Sequence, residues 1–129
     1  IKLSSFGQAA FHALSYTGEN RNVHMRSSMT STEMRVRVLL SVQRALLGHI
    51  GTAVRAILCR WTENEIHVRA VFDGEIREDD AEAISEAETE VIADFPSETA
   101  VFFKLERCDH PASIRHDADE QMVFQRLEQ

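Results

Sequence analysis

Basic residues are scarce in this 129-residue chain: Lys and Arg number 14 against 21 Asp and Glu, a formal net charge of −7. A surface of that sign repels nucleic-acid phosphates, so DNA or RNA is not an expected ligand. Cysteine is nearly missing, and Cys59 and Cys108 alone cannot make the disulfide framework of a small secreted domain. No apolar run approaches the roughly 20 residues that a membrane-spanning helix needs. No signal-peptide pattern opens the chain either, so a cytoplasmic, reducing setting is expected. Glycine occurs five times and never as a phosphate-cradling loop; Asp73-Gly74-Glu75 is an isolated turn. Internal repeats and low-complexity tracts are lacking too. What is present, 43% hydrophobic and 27% charged residues, suffices for one core and is too short for two.

Ile1 is not a start methionine. Residues 1–28 carry scattered Ser, Gly and Asn, and only Phe6 to Leu14 could make a short helix. They are expected to be a poorly ordered leader outside the fold, with Met25, Met29 and Met34 as candidate translation starts. The fold is then a single α+β domain over residues 29–129, where 11 basic residues face 20 acidic ones.

A first helix is expected from near Thr30, which has the capping-box spacing with Glu33, and Met29 with Met34 suits a hydrophobic staple. Val36, Leu39, Leu40, Leu46, Leu47 and Ile50 recur on one face, and Gly48 and Gly51 end the helix. Ala53 to Trp61 is apolar on both sides, as in a strand covered on both faces. Thr62-Glu63-Asn64-Glu65 reads as a hairpin turn, with a return strand from Ile66 to Phe72. A second helix follows from about Asp80 to Phe95, with Asp79 and Glu82 spaced as a second capping box and Pro96 barring continuation. A third strand covers Thr99 to Arg107, and Met122 to Leu127 makes a weaker fourth. The order α-β-β-α-β-β predicts an antiparallel sheet of about four strands with two helices on one face.

Charge is concentrated in one place. Residues 75–98 hold ten acids and one base, Arg77. Glu78, Glu82, Glu86, Glu90 and Asp94 fall at four-residue steps and wind across the outer face of the second helix. Like charges at that spacing repel by roughly 0.2–0.5 kcal/mol per pair. A sequence that keeps them either uses the field to attract a cationic protein, such as a nuclease, or uses the face for solubility alone. Trp61, at a strand end, is either a partner-binding aromatic or a cap on the core.

Two polar residues fall in apolar stripes. Glu88 lies in the arc of Ala81, Ile84, Val91, Ile92 and Phe95, and Gln43 lies between Val36, Leu39, Leu47 and Ile50. A buried polar network of Gln43 and Glu88 with Arg55 or Arg69 would satisfy them. No second acid or nucleophile is visibly paired with Glu88, so no catalytic residues are assigned. Cys108-Asp109-His110 with Cys59 and His116 matches no usual zinc spacing, and neither metal nor cofactor is expected.

The run Leu39-Leu40-Ser41-Val42-Gln43-Arg44-Ala45-Leu46-Leu47-Gly48 resembles the opening of small bacterial immunity-type proteins of polymorphic toxin and contact-dependent inhibition systems. Phe72-Asp73-Gly74-Glu75-Ile76 and Thr89-Glu90-Val91-Ile92-Ala93-Asp94-Phe95-Pro96 extend the resemblance over about residues 34–111. It implies a non-enzymatic, cytoplasmic inhibitor of one cognate toxin encoded beside it, and it carries no catalytic residues across. Two other readings stay open: a self-assembling module, dimerising through exposed strand edges, and a small hydrolase using Glu88 or Cys108.

Overall fold

The computed structural model describes residues 29–129, so the expected leader over 1–28 lies outside the described residues. The chain divides into two units between Met34 and Arg35, and the unit from Arg35 to Gln129 holds the sheet.

Helix α1 spans Ser31–Leu46. Its start is the expected capping box: the Glu33 N–H donates to Thr30 Oγ1 at 3.0 Å, and the Thr30 N–H donates to Glu33 Oε1 at 3.0 Å. Of the apolar stripe expected to face the core, Leu46 is buried and Leu39 and Ile50 are half-buried, but the rest of the buried face is different. Val38, Ser41, Val42, Ala45 and Leu46 are buried, while Val36, Leu40 and Leu47 are 52%, 54% and 73% exposed. The helix carries two apolar stripes on opposite sides, and small residues mark the inner one because they admit close packing. Gly48, two residues beyond the helix, has φ +81°, a left-handed conformation that costs a side chain roughly 1–2 kcal/mol. Gly48→Ala is expected to lower the unfolding free energy by about 1 kcal/mol in urea denaturation; an unchanged midpoint would show that the turn relaxes without penalty.

Strands β1 (Val54–Trp61) and β2 (Glu65–Phe72) form the expected hairpin, paired antiparallel from Trp61↔Ile66 to Val54↔Phe72. The Thr62 hydroxyl closes the turn by accepting the N–H groups of Asn64 and Glu65 at 3.3 and 3.1 Å. The register shifts between Val54 and Ala56, which makes Arg55 the extra residue of a bulge.

Helix α2 runs Glu78–Ala93, starting earlier than expected. Arg77 occupies the cap position in extended conformation with no side-chain cap bond, so Asp79 and Glu82 do not form a capping box there. Strand β3 (Ala100–Arg107) then pairs with β2 in parallel, from Glu65↔Ala100 to Phe72↔Arg107. Strand β4 (Gln121–Gln125) pairs antiparallel with the other side of β1. The sheet is therefore mixed rather than antiparallel, in the spatial order β3-β2-β1-β4. Lengths explain the correction. A 16-residue helix spans about 24 Å and an 8-residue strand about 26 Å. Helix α2 thus carries the chain back to the start of β2, and the next strand must run the same way.

Both faces of the sheet are covered. Ile57, Cys59, Ile66, Val68, Ala70 and Phe72 are fully buried on the helix side. On the other, Ala56, Leu58 and Val71 form a buried cluster against Cys108, Ile114 and Met122. The segment read as a plain polar loop after β3 is thus a lid on the second face.

Candidate partner-binding surface

The acids of α2 arise from a helix whose inner side needs only Ile84, Ala87 and Val91 to be buried. Everything else on it can be polar. Glu78, Asp79 and Asp80 stand in the first turn, where the helix dipole favours negative charge. No base stands in the last turn, and Asp94 caps the end where a carboxylate is disfavoured. Helix α1 resolves that conflict. Ser41 Oγ donates to Asp94 Oδ2 at 2.7 Å and Arg44 Nη2 donates to the same oxygen at 2.9 Å. Arg37 Nη2 reaches the Asp94 carbonyl at 3.3 Å, with its guanidinium 5.1 Å above the Phe95 ring.

The five acids at four-residue steps therefore have three different situations. Asp94 ties the two helices together. Glu86 meets the ring of His49, which lies just past α1, at 3.2 Å. Glu78, Glu82 and Glu90 are exposed and pair with no cation among the described residues. The contacts of Asp94 and Glu86 also lay α1 and α2 side by side and antiparallel. Trp61, half-buried at the end of β1 opposite Ile66, belongs to the sheet.

The residues expected to form a buried polar network separate in the structure. Gln43 is exposed. Glu88 is half-buried and accepts the Phe103 N–H at 3.2 Å, covering part of the β3 edge instead of meeting an arginine. Arg55 and Arg69 are both buried, and their partners come from the C-terminal third of the chain. Arg69 grips Glu120 through Nε at 3.0 Å and Nη2 at 2.7 Å. It also binds Glu106 at 2.9 Å and the Arg115 carbonyl at 2.6 Å. Arg55 grips Glu128 through Nε at 2.7 Å and Nη2 at 2.9 Å. Its Nη1 donates to the carbonyls of Cys108 at 2.6 Å and Ala112 at 3.0 Å. The charge-assisted contacts raise both arginines' pKa values, and the same guanidiniums hold Glu120 and Glu128 below the usual carboxylate range. These two forks pin the lid and the C-terminal residues to the sheet.

Only part of the signal for this arrangement lay in the sequence. Glu106 alternates outward in β3, and Glu120 precedes β4 directly, so both were placed to meet a cation on β2. The cysteines have no such setting. Burial pushes the Cys59 thiol up to about 12, the opposite of what a nucleophile needs. Cys108 packs at the margin of the lid cluster. Among the described residues no three His, Cys, Asp or Glu side chains stand together as a metal-holding group, and no helix is long and apolar enough to cross a membrane.

No curated protein matches the chain. The sequence model of the MafI2 immunity protein family matches residues 35–128, close to three-quarters of the chain and nearly all of the unit that holds the sheet.

Proposed function

The chain belongs to the MafI2 immunity protein family, and from that membership we propose that it binds and occludes one cognate toxin through the acidic outer face of α2. The partner on this reading is a basic protein domain, a nuclease being one whose own site must attract phosphate. The protein acts by binding and without catalysis, in the cytoplasm of the cell it protects, a setting that suits the free thiols of Cys59 and Cys108.

One observation carries the reading. Glu78, Glu82 and Glu90 lie on one helix, exposed and unpaired among the described residues, although neighbouring like charges cost stability. Among the described residues no cation pairs with them, whereas Asp94 and Glu86 are tied to α1 and the turn beyond it. Exposed charge of one sign accelerates encounter with an oppositely charged partner and contributes less to the lifetime of the complex.

The test begins with the polypeptide encoded immediately upstream. Its toxicity should be relieved by co-expression of this chain, and a stoichiometric complex should be recovered. Replacing Glu78, Glu82 and Glu90 together with Gln is then expected to slow association about tenfold at low salt and flatten its salt dependence. Unaltered association of the triple variant would remove α2 from the interface.

A further inference from the structure

The acidic helix offers charge but no anchor. Its outer arc is made of Glu82, Glu86, Thr89, Glu90 and Ala93, with nothing large and apolar among them. Protein interfaces take their lifetime from a few apolar or aromatic side chains at the centre, with charged groups at the rim. The neighbouring helix supplies what α2 lacks.

On α1, Val36, Leu40 and Gln43 follow one another at steps of four and three, and Leu47 comes four residues further on, just past the helix end. At about 100° per residue the three helical positions fall within an arc of about 60°, opposite the buried face of Val38, Ser41, Val42, Ala45 and Leu46. Three of the four are large hydrophobics left at least half exposed. Among the described residues the inner stripe, not these three, belongs to the buried core. Monomeric proteins leave single apolar residues outside freely, but an aligned apolar stripe on one helix face marks an interaction surface. Gln43 sits within the stripe, where its amide can both donate to and accept from a partner backbone.

Which partner fits is set by what borders the stripe. The Arg44–Asp94 and His49–Glu86 contacts place α2 along one flank of α1. Glu86 and Glu90 lie on the side of α2 turned toward α1. The combined surface is an apolar ridge bordered on the α2 side first by Arg37 and Arg44, which are engaged with Asp94, and beyond them by the carboxylates of α2.

We propose that Val36, Leu40 and Leu47, with Gln43, form the centre of the toxin-binding surface. The occupant is an apolar patch on the toxin domain whose α2-facing border carries Lys or Arg. The proposal rests on the immunity reading and adds the residues that hold the complex together. The stripe governs dissociation and the α2 carboxylates govern association.

The experiment compares four proteins by surface-immobilised binding kinetics with the upstream-encoded toxin domain as the probe: the unaltered chain, Leu40→Ser with Leu47→Ser, the Glu78, Glu82 and Glu90→Gln triple variant, and Ile92→Ser. Ile92 is 50% exposed on the flank of α2 away from α1, which makes it a control for loss of exposed apolar surface in general. The leucine pair is exposed, so circular dichroism and the urea midpoint should match those of the unaltered chain. The expected result is dissociation at least about 30-fold faster for the leucine pair, the effect of losing a hot spot. Association and its salt dependence should be retained, and Ile92→Ser should leave both rates unchanged. A complex whose dissociation ignores the leucine substitutions would overturn the proposal while leaving the immunity reading intact. Absence of any complex with the unaltered chain would overturn both. A homodimer in sedimentation that Leu40→Ser with Leu47→Ser disperses would assign the stripe to a second copy and overturn it as well.

Discussion

Replacing Arg69 by Met is expected to lower the unfolding free energy by about 3–5 kcal/mol, the range for removing one partner from a buried ion pair. The side chains of Arg69 and Glu120 are 8% and 5% exposed, and Glu106 is 19% exposed on the other side of the guanidinium. Met keeps most of the aliphatic volume, so the loss is electrostatic rather than a cavity. It strands the buried Glu120 carboxylate beside Glu106, which keeps Lys104 at 3.6 Å, and leaves the Arg115 carbonyl without its donor. Urea denaturation at pH 7 measures the effect. Two further results separate this account from a general packing defect. Adding Glu120→Leu to Arg69→Met should recover more than half of the loss, because an apolar pair of similar volume carries no stranded charge. The deficit of the single variant relative to the unaltered chain should also shrink as pH falls, since protonation neutralises the orphaned Glu120 carboxylate. A double variant as unstable as the single one would show that the loss does not come from the stranded carboxylate.

The contrast between what can be read from this sequence and what cannot follows the range of the interactions. The hairpin is legible because Thr62 to Glu65 and the flanking alternation are local, and the capping of α1 is legible because Thr30 and Glu33 are three residues apart. Helix α1 shows the limit of periodicity. Two apolar stripes satisfy the same 3.6-residue period, and the richer in leucine is the outer one. The inner one is marked by Ser41 and Ala45, whose small size matters only against a neighbouring helix. The sheet direction shows a second limit. Alternation specifies a strand but not its orientation, and the clue lay instead in the matched lengths of α2 and the strands it connects. The pairing of Arg69 with Glu120 spans 51 residues and that of Arg55 with Glu128 spans 73. No pattern within a window of helical or strand length contains both ends. The concentration of acids on α2 is visible in the sequence at once, but its division is not: two of the five acids are held by the region of α1, and only the fold shows that the other three are unpaired among the described residues.

Acid should loosen the second fork, and Glu128→Gln should remove that sensitivity. Glu128 accepts both nitrogens of Arg55 and, at 3.0 Å, Nη2 of Arg126. The Arg55 fork, with Arg126 assisting, holds its carboxyl at about 2, against an ordinary value of 4.5. The sign follows from linkage. The folded protein binds this proton less readily than the unfolded chain, so the contribution is complete above about pH 4.5 and is lost as pH falls toward 2. Glu120 shifts in the same direction beside Arg69, and Asp73 does so beside Arg126 and the His110 N–H. The unaltered protein is therefore expected to lose stability steadily from pH 4.5 downward, with a steeper slope than Glu128→Gln. The two should differ most at pH 7 and converge near pH 2 in urea titrations. Because Arg55 holds the carbonyls of Cys108 and Ala112 as well as Glu128, the loss should be local before it is global. Amide exchange at pH 3 should rise in residues 108–113 and 121–128 while the amides of α1 and α2 stay protected. A stability difference that does not change with pH, or exchange rising equally in the helices, would mean that the fork does not fasten the lid to the sheet. The helical surface proposed to meet the toxin lies on the opposite side of the sheet from this lid, so its binding should survive the pH at which the lid first opens.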